Sequence, residues 1–96
     1  LKCVNPSDFI KSDENSNVID VRTKNEFNNG TYKASQNIPL STIGQEIDNI
    51  SDNSYVFCAG GYRSVIACSI LMKNGKKDLI NVLEGYSGIN KQIESQ

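Results

Sequence analysis

The sequence predicts an α/β fold built on a mostly parallel sheet. Three observations carry that expectation. Short runs rich in β-branched or aromatic residues recur at 17–21 (NVIDV), 55–58 (YVFC) and 79–83 (LINVL), and each has the length of a strand. Helix-like stretches with recognisable start and stop signals separate them. YVFC has no charged residue and no polar alternation, as expected of a strand covered on both faces of a parallel sheet.

Taken in order, Asn5 caps a short helix with Pro6 at its first position, running to about Ser12. NVIDV follows as a strand. Thr23 with Glu26 three residues later forms a capping box that opens a second short helix, and Asn29-Gly30 stops it. Asn37 and Ile38 precede Pro39, which pushes this piece into extended backbone. From Ser41 the spacing of Ile43, Ile47 and Ile50 predicts a helical face, and Ser51-Asp52-Asn53 makes a turn. YVFC is the clearest strand and ends on Cys58. Arg63 to Asn74 predicts a helix packing through Val65, Ile66, Cys68, Ile70 and Leu71, closed by Gly75. LINVL is the last strand, and Tyr86 to Ser95 the last helix.

With 96 residues the chain is expected to form one domain over 1–96. It begins with Leu rather than Met, which reads as a domain excised from a longer protein. Ten basic residues against eleven acidic ones give a net charge of -1 and no basic stripe, so no nucleic-acid partner is expected. No apolar run approaches the roughly 20 residues that a bilayer span needs, and no signal peptide is visible. No membrane partner is expected, and the expected location is cytoplasmic. Three cysteines, without a C-x-x-C pair, argue against a disulfide framework and against a zinc site. The chain has no histidine, which removes Ser/His and Cys/His dyads and the commonest metal ligand. No metal and no cofactor are expected.

Residues 58–64 read CAGGYRS. Sites in parallel sheets lie beyond the carboxyl ends of the strands, and Cys58 stands there. Gly60 and Gly61 let the backbone curl, which can aim successive N–H groups inward as an anion cradle. The helix start adds partial positive charge and Arg63 a full one. Such surroundings bring a thiol from a pKa of about 8.5 to about 3.5–7.5 and so supply a thiolate nucleophile. No general base is required, which suits a chain without imidazole. A cysteine at a strand end is more often a small buried hydrophobe, but here three independent features converge within seven residues.

The C-x-x-G-x-R-S pattern after a strand resembles the active-site loop of the rhodanese (sulfurtransferase) family. VIDVRTKNEF at 18–27, NIPL at 37–40 and VLEGYSGI at 82–89 resemble other landmarks of that family, in its order. The resemblance covers nearly the whole chain. It implies a three-layer α/β fold with a central, mostly parallel five-stranded sheet and helices on both faces. Its six-residue C-x4-R loop implies sulfur transfer; a seven-residue loop goes with the related phosphatases and arsenate reductases. Cys58 would be the catalytic nucleophile, passing through a persulfide. Ala59, Gly60, Gly61, Tyr62, Arg63 and Ser64 would hold the substrate and the transferred sulfur. Arg63 would steer an anionic donor while pairing with a carboxylate or loop carbonyls. Asp20, Arg22 and Glu26 would be structural, bracing the turn from strand to helix. The partners implied are a small sulfur donor, such as thiosulfate or glutathione persulfide, and a thiol or cyanide acceptor.

The chain departs from the family pattern at Gly30-Thr31 (usually Gly-His), at Ala34-Ser35 (usually Gly-Ala) and in a tail that keeps Gly85 but has Ile89 near the usual tryptophan. CAGGYRSVIACSIL at 58–71 further resembles the rhodanese segment that ends certain fusion proteins with a metallo-β-lactamase-fold domain, so a fused domain of that kind is an expected partner. Cys68 is expected to be buried rather than to act as a resolving thiol, and Cys3 to be incidental. Two other readings stand beside sulfur transfer. One is a non-catalytic interaction module on the same fold, against which the retained Cys58 and Arg63 count. The other is a small-oxyanion phosphatase or arsenate reductase, which the loop length disfavours.

Overall fold

The structure, a computed structural model, describes residues 1–12 and 16–95. Among the described residues five strands form one sheet: β1 (Lys2–Val4), β2 (Val18–Asp20), β3 (Gln36–Asn37), β4 (Tyr55–Phe57) and β5 (Ile80–Val82). Their spatial order is β1-β5-β4-β2-β3, and every pairing is parallel. The helices are α1 (Pro6–Ser12), α2 (Lys24–Asn28), α3 (Tyr62–Lys73) and α4 (Gly85–Glu94). No described helix is long and apolar enough to cross a membrane.

Strand β4 lies at the centre because its three residues can be buried on both faces, and all three are. Side chains alternate across the sheet. Ile19, Val21, Val56 and Cys58 pack on one face with Ala67, Cys68 and Leu71 of α3. Tyr55, Phe57 and Val82 pack on the other with Phe9 of α1 and Ile89 of α4. Helices therefore cover both faces, and the expected three-layer fold is the one observed. Phe57 is fully buried; truncating it to alanine is expected to cost about 3–5 kcal/mol, the transfer loss plus the cavity.

Local signals account for the helix ends. Asn5 Oδ1 accepts the Asp8 N–H at 2.8 Å, so α1 starts where the cap predicts. Thr23 Oγ1 accepts the Glu26 N–H at 3.2 Å, and Glu26 Oε1 accepts the Thr23 N–H at 3.0 Å, which completes the capping box.

Two expectations are corrected. The stretch after Ser41 is not one α-helix but two 3-10 turns, Leu40–Gln45 and Ile47–Asn49, broken at Glu46. Gly44 and the β-branched Thr42, Ile43 and Ile47 weaken an α-helix here. The short turns still bury Ile43 and Ile50 against α3. Within α3, Val65 and Ile66 do not pack into the core: they are 41% and 52% exposed. The inward face is Ser64, Ala67, Cys68 and Leu71, and the small residues among these let the helix sit close to the sheet.

Candidate active site

Cys58 follows directly on β4, at the carboxyl end of the central strand. The chain then curls through Ala59, Gly60 and Gly61 into the first turn of α3. Gly61 has φ 110°, in the left-handed region where a Cβ is strained. That curl brings the Gly61 N–H to 3.1 Å from Cys58 Sγ. Ser64 Oγ lies 3.5 Å from the sulfur and also donates to the Gly61 carbonyl at 3.2 Å. Cys58 is 1% exposed, and that burial pushes its thiol pKa up. The Ser64 hydroxyl and the N–H groups of Ser64, Gly61 and Gly60 outweigh burial, so the net pKa lies below the ordinary thiol value. The site therefore shifts this thiol toward ionisation with no imidazole present.

The first leg of the loop is held from α4. The Tyr86 N–H donates to the Cys58 carbonyl at 2.7 Å, and the Ser87 N–H to the Ala59 carbonyl at 3.2 Å. This approach requires Gly85. Its φ is +55°, and a Cβ there would stand 2.2 Å from the Cys58 carbonyl oxygen. The sequence places Gly85 in a family-like tail; its contact with the loop 27 residues earlier emerges only from the fold.

Arg63 pairs with Glu26 of α2. Its Nη1 donates to Oε1 at 2.7 Å and its Nη2 to Oε2 at 3.0 Å. Arg63 foremost, then the Thr23 N–H, holds the Glu26 carboxyl at about 2, well below its usual range. Tyr62 is 85% exposed at the start of α3.

Asp20 and Arg22 form a separate buried knot. Arg22 donates to Asp20 through Nε and Nη2, the latter at 2.8 Å. Nη2 also reaches the Gly30 carbonyl at 2.7 Å, and Thr31 Oγ1 donates to Asp20 Oδ2 at 2.9 Å. The guanidinium lies 4.2 Å from the Tyr86 ring centre. Of the three residues expected to brace the strand-to-helix turn, Asp20 and Arg22 thus meet each other, while Glu26 meets the loop arginine. Cys68 is fully buried, and burial pushes its pKa to about 11, so it stays a thiol. Cys3 is exposed on the edge strand.

Residues 6–92 match the family model of the rhodanese-like domain. The chain belongs to that family. It is 32% identical over 78 residues to the putative sulfur carrier protein YrkF of Bacillus subtilis (strain 168), covering 79% of this chain and 42% of that one. It is 29% identical over 110 residues to a putative thiosulfate sulfurtransferase, mitochondrial, of Schizosaccharomyces pombe, covering 99% of this chain and 78% of the relative. Among solved structures, a rhodanese-related protein from Thermoplasma volcanium superposes with a TM-score of 0.87 at 26% identity, over 96% of this chain and 93% of that one.

Proposed function

We propose that this rhodanese-like domain is a sulfurtransferase that carries sulfane sulfur as a persulfide on Cys58. The observation that carries the reading is the placement of Cys58 Sγ, buried yet within reach of the Gly61 N–H and the Ser64 hydroxyl, which favours the thiolate. The likeness to a putative sulfur carrier and to a putative thiosulfate sulfurtransferase supports it.

In the first half-reaction the Cys58 thiolate attacks the sulfane sulfur of thiosulfate or of a low-molecular-weight persulfide. A bond forms between Sγ and that sulfur, and the bond to the rest of the donor breaks. Sulfite or a thiolate leaves with the electron pair. The transferred sulfur, now terminal, is anionic when thiosulfate is the donor and keeps its proton when a persulfide is; loop N–H groups between Ala59 and Ser64 hold it. In the second half-reaction a thiol or cyanide attacks the outer sulfur and returns Cys58 as the thiolate. No electron is gained or lost by the protein over the cycle.

The test is the intact mass of the wild type and of Cys58→Ser after incubation with thiosulfate, and separately with glutathione persulfide, without reductant. A gain of one sulfur on the wild type alone is the expected result. No gain from either donor overturns the reading.

A further inference from the structure

A groove of about 500 Å³ runs beside the Cys58 loop, a size that suits a small organic ligand. Helix α3 supplies Tyr62, Val65 and Ile66 to it; β5 and the turn after it supply Asn81, Leu83 and Glu84. The loop itself contributes Gly60 and Gly61, and the Gly61 N–H is the group 3.1 Å from Cys58 Sγ. The groove thus borders the loop whose N–H groups surround the reactive sulfur.

Its chemistry is distinctive in two ways. The exposed apolar side chains Tyr62, Val65, Ile66 and Leu83 gather on it, although none of them is needed to fill the core. Asn81, which faces the same side of the sheet as Val56 beside it, is 1% exposed; its Nδ2 points to Cys3 Sγ at 3.9 Å, and its Oδ1 has no hydrogen-bond partner among the described residues. A buried acceptor without a donor is destabilising, so its retention on the groove asks for a ligand N–H. The charged residue of the lining is Glu84, and no Lys or Arg among the described residues lines the groove. The loop's own cation, Arg63, is spent on Glu26. An anionic donor thus meets a carboxylate and apolar side chains here, not a free positive charge.

We propose that this groove binds the organic half of the sulfur donor, and that the preferred donor is a neutral, apolar persulfide carrying an amide N–H, R–CO–NH–R′–S–SH. The inference rests on the sulfurtransferase reading above and names its substrate class. The acyl chain lies against Tyr62, Ile66 and Leu83. The amide N–H donates to Asn81 Oδ1, the buried acceptor of the lining, which the side chains around it must uncover. The Cys58 thiolate attacks the terminal sulfur; the Cys58–S bond forms and the donor S–S bond breaks. The terminal sulfur keeps its proton and the organic thiolate leaves, so atoms and electrons balance without an oxidant.

The experiment compares loading of Cys58, by intact mass under single turnover, from three probes: N-hexanoylcysteamine persulfide, its ester isostere without the N–H, and thiosulfate. The amide probe is expected to load fastest, about tenfold ahead of the ester. Ile66→Ser, on the surface, is expected to lower the amide-to-thiosulfate ratio several-fold. Asn81→Leu removes the orphaned acceptor and is expected to fold with an unchanged or raised Tm, yet to bring the amide-to-ester ratio to one. Equal loading by amide and ester in the wild type overturns the groove assignment, as does faster loading from thiosulfate or from a persulfidated protein; each leaves sulfur transfer standing. Loading by none of the probes, with none from thiosulfate or glutathione persulfide, overturns sulfur transfer itself.

Discussion

Glu26 grips Arg63 through both terminal guanidinium nitrogens, at 2.7 and 3.0 Å, across 37 residues of sequence. The pair joins α2 to the first turn of α3 and so fixes one flank of the Cys58 loop. Both side chains are about a third exposed, and pairs with such access to water contribute about 1 kcal/mol or less.

That grip depends on pH in a defined direction. The Glu26 carboxyl titrates at about 2 in the folded protein, against 4.5 for the free group. A depressed carboxyl contributes stability above its unfolded pKa and loses it as pH falls through the folded one. Glu26→Gln is therefore expected to be less stable than the wild type by a constant amount above about pH 5. The two should converge as pH drops from 4.5 toward 2. Urea denaturation across pH 2–8 measures the gap; a gap that widens toward low pH contradicts the pair's role.

The Asp20–Arg22 knot is expected to behave differently, because it is buried. Asp20 is fully buried and accepts from Arg22 and Thr31. Asp20→Ala leaves the guanidinium with no counter-charge beneath Tyr86, and breaking one side of a buried pair costs about 3–5 kcal/mol. Chemical denaturation should show that loss. A stability within 1 kcal/mol of wild type would mean that the knot contributes no more than a surface pair.

How far these features could be read from the sequence depends on how local each one is. The capping box at Thr23 and Glu26 and the CAGGYRS loop are short-range patterns, since their physics lies within a few residues. So is the all-apolar β4, which needs only its own three side chains to declare both faces covered. Helix α3 is less legible. It carries two apolar stripes at helical spacing, one through Ala67, Cys68 and Leu71 and one through Tyr62, Val65 and Ile66. Periodicity alone does not say which faces the sheet; the closer packing of the smaller residues decides it. The segment after Ser41 has the spacing of an α-helix, but Gly44 and the β-branched residues around it settle into 3-10 turns that bury the same isoleucines. The partners of Glu26 and Gly85 are not local, for another reason. Each contact joins segments that only the order β1-β5-β4-β2-β3 brings together.

Gly85 gives a sharp test of how the loop is held. Any Cβ there meets the Cys58 carbonyl oxygen at 2.2 Å and the Ala59 carbonyl carbon at 2.9 Å, both backbone atoms that cannot swing aside. Its φ of +55° adds strain for a residue with a side chain. Gly85→Ala is expected to displace the Tyr86 and Ser87 N–H groups from the loop carbonyls. The expected outcome is a loss of about 1–3 kcal/mol in stability and a larger proportional loss in Cys58 alkylation rate. Gly75→Ala, with φ +91° but open space around it, serves as the control for backbone strain alone. Equal effects of the two substitutions on alkylation would show that the carbonyl contact has no part in presenting the thiol.

Ser64 tests the origin of Cys58 reactivity. Its hydroxyl accepts from the thiol at 3.5 Å and donates to the Gly61 carbonyl; when the thiolate forms, rotation of the hydroxyl turns the donor toward sulfur. After burial, which opposes ionisation, this hydroxyl is the leading influence on the Cys58 pKa, ahead of the loop N–H groups. Ser64→Ala removes it and leaves burial and the backbone donors in place. The midpoint of the pH–rate profile for alkylation is then expected to move to higher pH, with a slower rate at neutral pH, because only the thiolate reacts. The measurement is made on a Cys3→Ser background, so that the exposed thiol does not contribute; Cys68, buried and held at about 11, stays silent. The direction follows from the charge: losing a donor to the anion favours the protonated form and raises the pKa. An unchanged midpoint with an unchanged Tm would transfer the whole effect to the Gly60, Gly61 and Ser64 backbone N–H groups. Cys58 reactivity would then be a property of the curled loop alone.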